Sequence, residues 1–297
     1  MSDAGVLTLR ALLGDYPATR ALKSGAIGSP LLHLDFADVK VPNRAFKQVV
    51  RELAFDVAEL AIVTYLQARA FGKPLVLLPA VVLGRFQHGF LVYDAARGHL
   101  APADLAGRRV GIRSSSVTTV AWLRGILASD YGVDLDRVRW VTFEDAHVAE
   151  YRDPPGMERA PAGKELAAML RDGELDAAVV GEIPAPESSL RPLIPDPEAV
   201  AQAWYAEHRA VPINHLVVVK QSLSESQPHA VRELYRLLLE SKRSGVPIAP
   251  GGIDLLPFGV AAVRPSLELI VDYAVQQRLI PRRFAVDELF DDTTRLL

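Results

Sequence analysis

The chain has no cysteine among its 297 residues. Disulfides, thiol nucleophiles and cysteine metal sites are excluded together. Positive charge is not in excess either: 33 Lys and Arg stand against 36 Asp and Glu, a formal net charge of −3. The basic footprint that draws a protein to nucleic acid is therefore missing. The longest uncharged apolar stretch, Pro74–Gly84, is well short of the ~20 residues that cross a bilayer. The N-terminal MSDAGVLTLRALLGDYP has neither the basic start nor the long apolar core of a secretory signal. No phosphate-loop or dinucleotide fingerprint occurs. The expectation is a cytoplasmic protein with no nucleic-acid partner, no membrane insertion and no cofactor. Homo-oligomerisation is left open.

What is present is a globular composition, 49% hydrophobic and 23% charged, long enough for two ordinary domains. Strand-like and helix-like signals alternate, which predicts an α/β fold with largely parallel sheets. Strands are expected at Val6–Leu13, Leu31–Phe36, Phe55–Glu59 and Leu75–Leu83, with helices at Pro42–Leu53 and Leu60–Ala70. Further strands are expected at Arg85–Asp94, near Val138–Thr142 and at Ile213–Lys220. Lys164–Gly181 reads as a helix followed by a buried strand. Helices at about Gln227–Ser244 and Pro265–Leu279 carry clear apolar stripes. Two strands that begin with polar clusters, RFQHGFLVYD and INHLVVVK, mark a change of domain. They place residues 88–208 in one lobe, and residues 1–87 with 209–297 in the other.

The most informative stretch is ADLAGRRVGIRSSSVTTVAWLRGILASDYG, residues 103–132. A strand runs into Ser114, Ser115 and Ser116, and a helix follows with Val120, Leu123 and Leu127 on one face. Serines at a helix start cap free amide N–H groups, and those groups with the helix dipole also attract an anion. Ser114–Thr118 is thus a candidate carboxylate seat, the alternative being a simple cap.

The segments GDYPATRALKSG (14–25), FDVAELAIVTYLQARAFG (55–72), RFQHGFLVY (85–93), PADLAGRRVGI (102–112) and TVAWLRGILASDYGV (119–133) resemble the 4,5-dihydroxyphthalate decarboxylase family. So do PINHLVVVK (212–220) and LIVDYAVQQRLIPRRFAVDELF (269–290). The resemblance covers most of the chain in order. It implies a two-lobed type II periplasmic-binding-protein-like α/β fold. It also implies cofactor-independent decarboxylation of a hydroxylated aromatic carboxylate, a lyase of aromatic catabolism. Many relatives are named simply as transporter substrate-binding proteins, so the alternative is a non-catalytic receptor for a small carboxylate. The family's Arg-His-Ser run reads Gln87-His88-Gly89 here, and its serine-turn equivalent is bulkier. Both departures touch expected pocket positions and point to a changed substrate.

In two-lobed α/β proteins the ligand lies outside the carboxyl ends of the strands. That rule gathers Asp15, Tyr16, Glu59, Arg85, His88, Ser114, Ser115, Ser116, Thr118 and Glu182; the resemblance adds Asn214 and His215. Decarboxylating a hydroxybenzoate requires a proton at the ring carbon and polarisation of the ring hydroxyl. His88 and His215 suit proton delivery, since a histidine titrates near neutrality. Glu59 suits the hydroxyl proton, and Arg85 grips a carboxylate through paired donors. Each has a plainer reading: a hinge histidine for His88 and His215, a first-turn acid for Glu59, a helix start for Asp15 and Tyr16. Arg85 reads equally as a bridge between lobes and Glu182 as a solvated turn. The run Glu144, Asp145, His147, Glu150, Asp153 matches no defined ligand spacing, so no metal site is assigned.

Overall fold

A computed structural model describes residues 6–185 and 187–297. The first five residues, part of the stretch read for a leader, lie outside the described residues. Along the chain come β1 (Leu7–Leu12), α1 (Pro17–Lys23), β2 (Leu32–Phe36), α2 (Phe46–Glu52), β3 (Val57–Ala61), α3 (Ile62–Ala70) and β4 (Leu75–Gly84). There follow β5 (Leu91–Asp94), β6 (Arg109–Ile112), α4 (Thr118–Tyr131), β7 (Arg139–Thr142), β8 (Glu158–Arg159) and α5 (Leu166–Arg171). The remainder is β9 (Ala177–Val179), β10 (Leu190–Pro192), α6 (Pro197–His208), β11 (Ile213–Lys220), α7 (Gln221–Ser226), α8 (Pro228–Gly245) and α9 (Val260–Gln276).

The strands sort into two sheets, ordered β2-β1-β3-β11-β4 and β10-β5-β9-β6-β7-β8. In the first, β1 runs parallel to β2 and β3, while β11 returns antiparallel between β3 and β4. In the second, β6 is parallel to β7 and β9, and β5 is antiparallel to β9. The α/β, two-lobed expectation holds. The central strand β3 is buried at every residue, as a strand covered on both faces must be. Alternation along β11 feeds both faces: Leu216 and Val218 join the core under α3 and α9, while Val217 and Val219 join the core under α8.

Several boundaries differ from expectation, each for a local reason. Residues 85–89 form no strand, and pairing begins at Leu91. The helix expected over Pro42–Leu53 opens as a 3-10 turn at Pro42–Ala45 and becomes α-helical only from Phe46. The third strand is displaced by two residues, so Glu59 sits inside β3 rather than ahead of a helix. Helix α9 starts five residues earlier than Pro265, which it absorbs in its second turn. Helix α6 is not foreseen by the apolar pattern, because only Ala201 and Trp204 are buried along it.

We propose that the lobes divide at 87/88 and 208/209, since every strand of the second sheet lies between. Core packing crosses that division. Trp122 of α4 and Trp204 of α6 share one apolar cluster with Ile213 and Tyr273, and the Trp122 indole N–H donates to the Ile213 carbonyl at 2.9 Å.

Candidate functional site

Glu59 is wholly buried, yet its carboxylate is fully occupied. It accepts from the Gly14 amide at 2.5 Å, the Tyr16 hydroxyl at 2.9 Å and His215 Nδ1 at 2.9 Å. Sheet register explains the last contact. Glu59 pairs with Val217 and Ala61 with His215, so Glu59 and His215 are diagonal neighbours on one face. Gly14 and Tyr16 arrive from the turn after β1, the strand beside β3. Gly14 must lack a side chain, because a Cβ there would overlap the Tyr16 ring. Burial first, then the charge of Glu59, hold the Tyr16 phenol well above its ordinary range, so it remains a donor.

With Nδ1 bonded to Glu59, Nε2 is the His215 ring nitrogen left for another partner. The His215 ring stands edge-on to Phe46 at 5.1 Å. His147 stands edge-on to the same ring at 5.5 Å and meets the Thr64 hydroxyl through Nδ1 at 2.9 Å. Burial, aided by the cations Arg113 and Lys47, pushes the His147 imidazole down to about 4. It is therefore neutral at physiological pH.

These groups border a cavity of about 240 Å³ whose lining also includes Arg85, Arg113, Ser116, Thr118 and Asn214. Two helices begin at its wall: Ala61 precedes α3, and Val117 precedes α4. Neither start has a side-chain cap. The Val63 amide donates to Thr118 Oγ1 at 3.3 Å, tying the first turns of α3 and α4 together. The first-turn amides of Thr118, Thr119 and Val120 have no intrahelical acceptor by helix geometry and line the cavity. Arg85 adds a guanidinium 3.9 Å above the Phe90 ring, with Nη1 donating to the Gly181 carbonyl at 3.3 Å. Burial lowers the Arg85 pKa, and the nearby Glu182 charge opposes that shift. Lining the same cavity as His215, this wall can receive an anion.

The expected residues thus divide. Tyr16, Glu59, Arg85, Ser116, Thr118, Asn214 and His215 gather at or directly behind the cavity. Asn214 accepts from Gln87 Nε2 at 2.8 Å and donates to Thr119 at 3.3 Å, joining both lobes. His88 is elsewhere: it is 1% exposed, packed against Phe86 and Trp204, and absent from the cavity lining. Asp15 points to solvent and pairs with Arg20, and Glu182 is exposed. The serine turn also departs from expectation. Val117 is the N-cap, Ser114 and Ser116 meet each other at 3.2 Å, and Ser115 turns away to Tyr151 and Asp153. Glu144, Asp145 and Glu150 take separate cationic partners, namely Arg113, Arg159 and Lys73. The sequence reading weighed His147 only as part of a metal-like run and did not name Arg113 among the site residues. The acidic run hid His147, and only the fold brings Thr64 and Phe46 to it.

No protein-family model matches the chain. It is 27% identical over 258 residues to the 4,5-dihydroxyphthalate decarboxylase of Comamonas testosteroni, spanning 80% of this chain and 75% of that protein. The Pseudomonas putida 4,5-dihydroxyphthalate decarboxylase is 28% identical over 215 residues, 67% of this chain and 81% of that one. Among solved structures, the alkanesulfonate-binding protein SsuA of Xanthomonas axonopodis pv. citri bound to MOPS superposes with a TM-score of 0.58. It is 13% identical, with 97% of this chain and 99% of that chain covered. The desulfurization enzyme DSZB gives 0.52 at 16% identity, covering 97% and 98%. The chain has the two-lobed periplasmic-binding-protein-like fold and resembles the 4,5-dihydroxyphthalate decarboxylases, as its motifs imply.

Proposed function

From a chain with that fold and that resemblance, we propose a decarboxylase of a hydroxylated aromatic carboxylate such as 4,5-dihydroxyphthalate, working in the cytoplasm without an organic cofactor. The observation that carries the proposal is the Glu59–His215 pair, with His215 lining the same small cavity as Arg85 and the open start of α4. A pure receptor needs anchors for its anion. It has no need of a carboxylate buried behind a histidine and saturated with donors.

The α4 amides and Arg85 hold one carboxylate of the substrate, and Arg113 the second. His215 delivers its Nε2 proton to the ring carbon bearing the departing carboxylate. The para hydroxyl releases its proton to neutral His147, and its oxygen electrons allow the ring to accept the incoming proton. The C–C bond then breaks, carbon dioxide leaves, the freed electron pair restores the aromatic ring as a phenolate, and His147 returns its proton to give the phenol. In sum, one carboxylate and one proton become an aryl C–H and carbon dioxide. Glu59 is a positioning residue on this account, since its oxygens are consumed by Gly14, Tyr16 and His215. That replaces the sequence assignment of the hydroxyl proton to Glu59, and His215 replaces His88 as the acid.

The test separates anchors from the proton donor. His215→Gln should lower kcat on 4,5-dihydroxyphthalate by roughly 100- to 10,000-fold with little change in KM. Arg85→Met should act mainly on KM. Glu59→Gln, which keeps shape, should lower kcat and distort its pH profile. Wild-type kcat in a folded His215→Gln protein would overturn the assignment.

A further inference from the structure

A second cavity, of about 300 Å³, lies at the junction of α4 with the end of α9. None of its lining residues belongs to the cavity described above. Its most unusual member is Arg124, on α4. This side chain is 4% exposed, and its Nε and Nη1 have no hydrogen-bond partner among the described residues. Its guanidinium lies 4.9 Å from the centre of the Trp140 ring. Asp136 and Asp153 act on it only from beyond contact distance, and a buried guanidinium with no anion in contact is unfavourable.

The nearby acids each make their contacts with other groups. Asp136 receives Arg278 at 3.0 Å and is largely exposed, Asp134 accepts the Asp136 amide at 3.1 Å, and Asp153 accepts from Ser115. A second orphan faces the same junction. Gln277 is 2% exposed and donates through Nε2 to the Ala121 carbonyl at 2.7 Å, leaving its buried Oε1 without a donor among the described residues. Trp140, Val133, Val138 and Met157 supply apolar wall.

We propose that this cavity is a second ligand site, taking a small carboxylate with an apolar or aromatic body. The carboxylate lies on the Arg124 fork, the body rests against Trp140, and a hydroxyl on the ligand donates to Gln277 Oε1. The proposal is independent of the reaction assigned to the first cavity.

Calorimetric titration of the full chain with 4-hydroxybenzoate, benzoate and acetate tests it. In a protein whose first cavity is disabled by Arg85→Met, 4-hydroxybenzoate should still bind, more tightly than benzoate and far more tightly than acetate. Adding Arg124→Met should weaken that binding roughly tenfold or more, as expected for losing charged hydrogen bonds. If Arg124→Met fails to fold, Ala128→Phe is read instead, because it fills the cavity from α4 and leaves the charge in place. Loss of binding in Ala128→Phe supports the site. The proposal is overturned if the Arg85→Met protein binds none of the three probes, if acetate binds as tightly as 4-hydroxybenzoate, or if a folded Arg124→Met or Ala128→Phe protein binds unchanged.

Discussion

His88 and His147 are both held neutral by burial, each pushed down to about 4 from 6.5. The consequence for stability has a definite sign. Between pH 6.5 and 4 the unfolded chain takes up protons on these rings that the folded chain refuses. Their contribution is complete above pH 6.5 and is lost as pH falls toward 4, by up to roughly 3 kcal/mol for His88. Among the described residues His88 finds no hydrogen-bond partner for either nitrogen, and it packs against Phe86 and Trp204, so His88→Phe should fold. The variant should lose much less melting temperature between pH 7.5 and 5 than the wild type does. An unchanged slope would show that His88 is not the neutral buried group described. The sequence could not show which way His88 faces, since residues 85–89 are not a strand and alternation assigns them no side. Glu59 was legible as a candidate, but a two-residue shift of β3 changed its work from acting on substrate to holding His215.

At the scale of elements, α4 carries the account. Its first turn opens into one cavity, its middle packs against α9, and Arg124 faces the other cavity. The close approach depends on Gly125, where a Cβ would overlap the Tyr273 ring that also packs edge-on to Trp122 at 5.8 Å. Gly125→Ala should therefore destabilise the protein by about 1–3 kcal/mol in urea unfolding, despite alanine's better helix propensity. A gain in stability would mean that the two helices do not pack this tightly. The helix itself was legible from its apolar spacing. The work of the serines was not, because a serine before a helix satisfies the same pattern whether it caps the helix, lines a cavity or, like Ser115, bonds to a distant loop. Helix α6 escaped because a two-residue buried stripe leaves too weak a period to read.

For the whole molecule, alternation of strands and helices was enough to give the α/β class, since burial on both faces leaves continuous apolar runs such as Leu75–Leu83; the two lobes came from the polar-headed segments and the family resemblance. The meeting of the lobes was less legible. Contacts such as Asn214 to Thr119, or Thr64 to His147, join residues far apart in sequence and leave no local pattern. The same fold is shared by the binding protein SsuA and the enzyme DSZB, so architecture alone does not separate receptor from catalyst. The direct measurement is carbon dioxide release from 4,5-dihydroxyphthalate by the purified wild-type protein, with no organic cofactor added and with binding followed on the same sample. The account predicts one carbon dioxide and one 3,4-dihydroxybenzoate for each substrate consumed. Saturable binding with no release of carbon dioxide would contradict it and make the protein a receptor for the same acid.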